Sequence, residues 1–188
     1  MTGMPRTHMA WLSVLLTTDK TVCYPEPLKD MQEPEDIDRL MGARGYTHVG
    51  VADTGLAFFP DVMTRLLCPV VLIDRDRNEV LHELLRMSAN PETAKTYVDR
   101  MEKACERVAR KANVLVINYK QLRDRRIAQK IFWHCLPGVA FDEVRYSLLS
   151  QLVIEQNPLG ILSSVKNNLS GMQQMFSDRY EHLNEVLQ

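Results

Sequence analysis

Two short runs of apolar, β-branched residues constrain the fold of this chain more than any other feature. They are Pro69–Ile73 and Asn113–Asn118, which read PVVLI and NVLVIN. A strand with one wet face alternates apolar and polar residues, so an almost uninterrupted apolar run indicates a strand that is buried on both faces. Strands of this kind are typical of parallel sheets covered by helices. The two runs therefore predict an α/β fold.

Two further strand candidates and several helical patterns alternate with these runs. The strand candidates are Thr21–Tyr24 and Thr47–Ala52. Alternation of strands and helices with short connections is typical of βαβ units. It predicts a three-layer, doubly wound, mostly parallel sheet. The predicted helices are Pro34–Ala43, Leu56–Leu67, Asn78–Met87, Pro91–Lys111 and Gln121–Cys135.

The last part of the chain has a different pattern. Phe141–Gln156 reads as a helix, and the run Asn157–Gly160 breaks it. From Ile161 to Leu187 apolar residues recur at three- and four-residue spacing, which indicates an amphipathic helix. We therefore predict an α/β domain over residues 1–155 and a C-terminal helical extension over 156–188. The extension packs either on its own domain or on another protein chain, and the sequence leaves both open.

The bulk composition excludes several classes of protein. The 188 residues carry 23 basic and 24 acidic side chains, a balance that argues against a general nucleic-acid binder. No stretch approaches the roughly 20 apolar residues of a membrane span, and the first residues lack a signal-peptide layout. The four cysteines are scattered without a CxxC pair, so we expect reduced thiols, no metal site and a cytoplasmic location.

The segment Gly3–Leu12, GMPRTHMAWL, places a short polar loop before an apolar helix. A helix N-terminus leaves backbone N–H groups free and carries partial positive charge, so it can bind an anion. Arg6 would add a fixed cation with bidentate geometry. The GxxxxGK[ST] pattern is absent. From the residues alone, the segment is either an anion-binding loop or an ordinary helix start.

Within this segment, Pro5–Leu12 resembles the phosphosulfate loop of the sulfotransferase family, usually Pro-Lys/Arg-Ser/Thr-Gly-Thr-Thr-Trp-Leu. Small phage-encoded sulfotransferase-like proteins have a similar loop. Further segments follow in the family's order, and the match covers roughly residues 3–155. Cys23–Pro27 resembles a His-Glu-Pro segment, Val49–Leu56 the next strand and turn, Val70–Asp76 a strand ending in Arg-Asp-Pro, and Val114–Leu122 a strand followed by Tyr-Glu-Asp-Leu.

The resemblance implies a P-loop-type fold that binds 3′-phosphoadenosine 5′-phosphosulfate and transfers its sulfuryl group. Arg6 and the backbone amides of residues 7–10 would cradle the 5′-phosphosulfate, and Arg75 would bind the 3′-phosphate. Glu26 would stand where some relatives place a general base, so Arg6 and Glu26 are the implied catalytic residues. The implied acceptor is a hydroxyl or amine on a small molecule or macromolecule. The implied cofactor-binding set is Pro5, Arg6, Thr7, His8, Met9, Ala10, Trp11 and Arg75.

Four departures from the family pattern suggest a second hypothesis. His8 and Met9 stand where relatives have Gly and Thr, and Pro25 replaces a histidine. Glu83 stands where relatives often have a serine, and an acid beside a phosphate is repulsive. Only two residues precede Gly3, so we expect the strand that leads into the family's loop to be missing here. Either the true start lies upstream, or another segment takes its place, or the sheet is rebuilt.

The second hypothesis is a catalytically degenerate fold that is kept as a structural or interaction protein, for example a phage virion component. Its partners would be other protein chains, reached through the 161–187 helix. The enzyme would instead work in the cytoplasm of the host cell. Asp53, at the end of a predicted strand, fits a site residue and a turn cap equally well.

Overall fold

The computed structural model describes residues 1–5, 7–29, 31, 36–65, 67–87 and 89–151. The chain forms two compact units. The first contains Met1–Thr7 and Thr54–Cys135, and the second contains His8–Asp53 and, among the described residues of the tail, 136–151. Every strand pair of the described residues is parallel, which confirms the α/β class. Within the described part of the chain, no helix has the length and apolar character to cross a membrane.

The first unit is built on a three-stranded sheet in the order β1-β4-β5, with elements numbered along the whole chain. Its strands are β1 (Thr2–Gly3), β4 (Val70–Asp74) and β5 (Val114–Asn118). Its helices are α3 (Pro60–Arg65), α4 (Arg77–Arg86), α5 (Pro91–Ala109) and α6 (Arg125–Cys135). Both long apolar runs therefore form strands, as predicted, and the two strands pair with each other. The prediction of two buried faces holds for β4 but is wrong for β5, in which Val116 is 47% exposed.

The core of the first unit lies between β4 and the helices that follow it. Val70 and Leu72 of β4 are buried with residues of α4 and α5. The alternate residues Val71 and Ile73 are also fully buried, so β4 has two covered faces. The α4 and α5 contribution to this core consists of Val80, Val98, Met101, Ala104, Cys105 and Val108.

A strand of two residues leads into the N-terminal loop, which corrects the expectation that no strand is there. Thr2 pairs with Leu72 and Gly3 pairs with Ile73. A Cβ atom on Gly3 would collide with the Ile73 backbone, so only glycine allows this approach. The two-residue strand β1 thus pairs with the edge of β4 that faces away from β5.

The second unit contains a two-stranded parallel sheet. Its strands are β2 (Thr21–Pro25) and β3 (His48–Ala52). Its helices are α1 (Met9–Leu16), α2 (Asp36–Met41) and α7 (Glu143–Gln151). Every residue of α1 is buried, because the helix packs on β2, β3 and α7. An apolar helix that is covered all round needs no polar face.

Two predicted helices are shorter than expected. The stretch Leu56–Leu67 divides into a 3-10 helix, Thr54–Phe58, and α3, which begins at Pro60. Proline has no N–H to continue a helix but fits its first position. Gln121–Cys135 divides similarly into a 3-10 turn, Tyr119–Gln121, and α6.

The start of α6 is set by Asp124. Its carboxylate accepts hydrogen bonds from the backbone N–H groups of Arg126 and Ile127 at 2.7 and 3.3 Å, as the carboxylate of a helix cap does. In the tail, the helix predicted from Phe141 begins at Glu143. Its predicted end, the domain boundary at 155 and the 161–187 helix all lie outside the described residues.

Candidate functional site

Two hydrogen bonds hold the turn after β1, one to strand β4 and one within the turn. The Met4 N–H donates to the Ile73 carbonyl oxygen at 3.1 Å, and the Thr7 hydroxyl donates to the Met4 carbonyl oxygen at 2.7 Å. Met4, Pro5 and Thr7 are all buried. The Thr7 hydroxyl therefore stabilises the turn, and Pro5 packs inside it. Arg6, the predicted anion-binding cation, lies outside the described residues.

The second unit begins with His8, whose backbone adopts the left-handed conformation at φ 57° and ψ 41°. This is a glycine-type conformation at the position where the sulfotransferase loop has a glycine. The first N–H of the helix to reach a helical acceptor is that of Leu12, which donates to the His8 carbonyl at 3.1 Å. No side chain of the described residues caps α1. Its first turn therefore has the donors and the positive dipole end that an anion needs.

The side chains of that first turn point into the protein. Met9 and Ala10 are each 3% exposed and Trp11 is 2% exposed. The Trp11 indole N–H donates to the Leu149 carbonyl at 3.0 Å within the second unit. These three predicted cofactor-binding residues therefore build the core through their side chains, and only their backbone N–H groups remain for a ligand.

Arg75, the predicted 3′-phosphate ligand, lies at the carboxyl end of β4 and is 8% exposed. Its two terminal nitrogens donate to the two carboxylate oxygens of Glu83 at 3.2 and 2.6 Å. The guanidinium carbon lies 4.2 Å from the centroid of the Tyr119 ring, which gives a cation–π contact. Arg75 is thus held from the edge by a bidentate carboxylate and from the face by an aromatic ring.

A second acid and a second base extend this ion-pair network. The Arg75 Nε lies 3.8 Å from a Glu79 carboxylate oxygen, and the Lys120 Nζ lies 2.6 Å from the other. Two cations and two anions therefore balance, which leaves no net positive charge for a phosphate. Glu79 and Glu83 are four residues apart on α4, so both carboxylates lie on one face of the helix.

The acids beside Arg75 and Lys120 raise the pKa values of both bases. Burial alone would lower the pKa of Arg75, but its hydrogen bonds to Glu83 and the nearby charges of Tyr119, Glu83 and Glu79 outweigh burial, so the pKa of Arg75 is raised. The Glu79 carboxylate raises the pKa of Lys120 through its hydrogen bond. Both groups are therefore charged at neutral pH, and the acids that pair with them, Glu79 and Glu83, belong to the first unit.

Glu26, the predicted general base, follows β2 in the second unit. Its backbone is also left-handed, at φ 47°, and its N–H donates to the Ala52 carbonyl at 2.9 Å. Asp53 follows β3 and is 6% exposed, and its carboxylate accepts the Leu28 N–H at 2.9 Å. Since Pro25 and Ala52 are in register, the two acids follow neighbouring strand ends. Asp53 thus caps the turn after β2.

The predicted site residues are divided between the two units. Pro5, Thr7 and Arg75 lie in the first unit, whereas residues 8–11 and Glu26 lie in the second. Tyr119 was not predicted to be a site residue, although its position in the sequence could have indicated it, because Tyr119 and Arg75 both follow a predicted strand. Asp74 and Asn118 are in register, so the residues that follow the two strands, Arg75 and Tyr119, emerge side by side.

Among the described residues no group of three or more His, Cys, Asp or Glu side chains could hold a metal ion. Comparison with protein-family models, curated proteins and solved structures finds no match to this chain.

Proposed function

We propose that this chain is a sulfotransferase-like protein whose 3′-phosphate subsite has become an internal ion pair, and that it serves as a structural or interaction protein. The bidentate contact of Arg75 with Glu83 carries the proposal. The three-layer, doubly wound architecture of the P-loop type belongs to the same proposal. It is supported by the parallel pairing and by the order of the resembling segments.

The electrostatic argument rests on what a phosphate would meet at Arg75. Two of its five N–H donors already bond to Glu83, and a Glu79 carboxylate oxygen lies 3.8 Å from its Nε. A unit negative charge about 4 Å from another costs about 4 kcal/mol at an effective dielectric constant of about 20. The Glu83 side chain is 28% exposed, so solvent reduces this repulsion. A penalty of even about 1.4–2.8 kcal/mol lowers affinity by about ten- to a hundredfold.

The test is calorimetry with 3′-phosphoadenosine 5′-phosphate. The wild type is expected to give no binding heat up to about millimolar ligand, a limit that corresponds to about 4 kcal/mol. Glu83→Ser removes the competing carboxylate and is expected to bind at least about tenfold more tightly. Glu106→Ser is the matched control, because Glu106 is an exposed helix acid that pairs with Arg110 at 4.0 Å.

Two results would count against the proposal. Micromolar binding by the wild type would show a working nucleotide site. An equal gain in Glu106→Ser would show that net charge, rather than release of Arg75, controls the affinity.

The second candidate is an active transferase, and one observation favours it. His8 keeps the glycine-type backbone of the family's loop beside an N-terminal turn of α1 that no described side chain caps. In this proposal Arg6 and the amides of residues 7–10 bind the 5′-phosphosulfate, and donors aimed at the transferring group stabilise its charge. Glu26 accepts the proton of the acceptor hydroxyl or amine.

The two candidates differ in location and in partner. The transferase would act in the cytoplasm, of a host cell if the chain is phage-encoded, on an acceptor of undetermined identity. The structural protein would bind other chains, with the 161–187 segment as the proposed contact, for example in a virion. Calorimetry of Arg6→Ala separates them: wild-type binding that this change abolishes supports the transferase, and absence of wild-type binding rejects it.

A further inference from the structure

The amino ends of β4 and β5 form one wall of a small cavity within the first unit. Val70 and Val114, which begin the two strands and lie in register, both line it. The other walls come from α3 and the turn after it, and from the end of α5 and the residues that follow it. The cavity has a volume of about 150 Å³. It lies at the opposite end of the strands from Arg75, which follows the carboxyl end of β4.

The inner wall of this cavity is apolar. Met63, Val70 and Val108 are buried members of the core of the first unit, and Cys68 and Val114 pack against the same core. A cysteine thiol behaves as a small hydrophobe and is only a weak hydrogen-bond donor. Water beside such a wall finds few hydrogen-bond partners, so an apolar molecule that displaces it loses little and gains contact.

Two polar side chains at the rim of the cavity already have partners. The Thr64 hydroxyl donates to the Pro60 carbonyl oxygen at 3.1 Å. The Lys111 Nζ lies 3.6 Å from an Asp61 carboxylate oxygen. A charged ligand would compete with these contacts, whereas a neutral apolar ligand leaves both in place. The rim therefore favours a neutral ligand.

Leu67 leaves the cavity open to solvent. Its backbone is left-handed, at φ 50°, and the residue is 86% exposed although it lines the cavity. A left-handed backbone is costly for a leucine, so the surrounding turn must maintain it. Because Leu67 lies largely in solvent instead of filling the space, a small molecule can enter.

We propose that this cavity binds a neutral, apolar molecule of about the size of benzene. Apolar protein cavities of this volume hold benzene. Pockets for nucleotides and other large ligands occupy about 300–1,000 Å³, so the cavity is too small for them. The proposal concerns the first unit alone and does not depend on whether Arg75 binds a nucleotide.

NMR titration with benzene tests the site. In ¹H–¹⁵N spectra of the whole chain, benzene should shift the amide signals of Met63, Val108 and Val114 in a saturable way, with a Kd of about 1 mM or tighter. Benzoate has the same ring and adds a carboxylate. It should bind at least about tenfold more weakly, because the charge loses its hydration at an apolar wall. Tighter binding of benzoate would show an anion site at Lys111 and overturn the proposal.

Two phenylalanine substitutions in β5 test the location. Val114→Phe enlarges a side chain of the cavity wall and should weaken benzene binding at least about tenfold. Val116→Phe is the matched control, because Val116 is half-exposed on the same strand and does not line the cavity. It should leave the Kd unchanged within about twofold. Urea midpoints verify folding, and Cys68→Leu, on another wall, repeats the test if Val114→Phe does not fold.

Three results would overturn the proposal. The first is a wild type without saturable shifts at benzene concentrations of about 1 mM and above. The second is an equal loss of affinity in Val114→Phe and Val116→Phe. The third is a set of shifts spread over both units, which would indicate general adsorption to apolar surface.

Discussion

His8 holds a strained conformation that a glycine would hold without strain. A non-glycine residue in the left-handed region costs about 1–2 kcal/mol, although histidine tolerates it better than branched residues do. The φ of 57° at His8 is therefore a local cost that the surrounding structure maintains.

We expect His8→Gly to be about 1 kcal/mol more stable than His8→Ala. Both changes remove the imidazole and its contacts, so their difference isolates the backbone. Alanine keeps the steric conflict of its Cβ, whereas glycine removes it at a cost in unfolded-state entropy. Urea unfolding with a shared m-value gives the comparison. Equal midpoints would mean that the turn relaxes out of the left-handed region in the alanine variant.

The Arg77–Asp99 pair gives a pH-dependent prediction. The Arg77 hydrogen bond lowers the pKa of Asp99 below its ordinary value near 3.8. A carboxyl whose pKa is lowered by folding adds to the free energy of unfolding at any pH above its pKa in the unfolded chain. This contribution is lost as the pH falls through its pKa in the folded chain. Arg77→Gln should therefore raise the Asp99 pKa toward 3.8, measured by NMR titration of the side-chain carboxyl. Arg110→Gln, on the same helix as Asp99 but paired with Glu106, should leave it unchanged.

Much of the Arg75 environment could be read from the sequence. Glu83 was identified as an acid at the family's serine position, and the structure places its carboxylate on Arg75. The spacing works because α4 begins just after β4, so two helical turns bring residue 83 back over the strand end. The role of Glu79 and Lys120 was not predicted, because it depends on how the turn after β5 is oriented beside α4.

At the scale of elements, all four strand predictions were confirmed to within one residue at their ends. Their apolar, β-branched pattern is a local property of the chain. The two-residue strand β1 has no such pattern, and it exists because β4 offers a backbone partner and Gly3 lets it approach. The periodicity of apolar residues cannot predict a short element whose formation depends on a distant neighbour.

Helix α1 is fixed to α7 by polar contacts at buried positions. Besides the Trp11–Leu149 bond, the Arg145 guanidinium donates to the Val14 carbonyl near the end of α1. Burial lowers the pKa of Arg145 to about 10, so the group is still charged at neutral pH. The Val14 carbonyl also accepts the Thr17 N–H at 3.3 Å, so Arg145 adds a second donor, which is charged, at the end of α1.

We expect Trp11→Phe to destabilise the protein by about 2–3 kcal/mol. Phenylalanine removes the buried hydrogen bond to the Leu149 carbonyl and creates a small cavity in the core. Trp133→Phe is the matched control, because Trp133 is 51% exposed and its change should fall within about 0.5 kcal/mol. Urea unfolding followed by circular dichroism measures both. Similar losses in the two variants would show that the buried indole bond adds little.

At the scale of the whole molecule, the chain forms two compact units, and this division does not follow from the pattern of the sequence. The chain leaves the first unit after Thr7, returns at Thr54 and leaves again after Cys135. Consecutive strands pair in most α/β proteins, whereas β1 here pairs with β4. Such a division depends on which distant strands pair, and local patterns of hydrophobicity do not contain that information.

The buried thiols predict how the stability of the folded chain changes at alkaline pH. Burial raises the pKa of Cys105 to about 12 and that of Cys135 to about 11, above the ordinary value of 9.0. Between pH 9 and 11 the unfolded chain therefore releases these two protons while the folded chain keeps them. The folded state binds more protons, so stability falls as the pH rises.

At pH 10 each thiol contributes a loss of about 1.4 kcal/mol relative to neutral pH, or about 3 kcal/mol for both. Urea unfolding at pH 7.5, 9 and 10 measures the fall. The double variant Cys105→Ala/Cys135→Ala should be less stable at neutral pH, because it leaves small cavities, yet should lose about 3 kcal/mol less than the wild type on going to pH 10. If the free energy of unfolding falls equally in both proteins, groups other than these two thiols cause the loss of stability at alkaline pH.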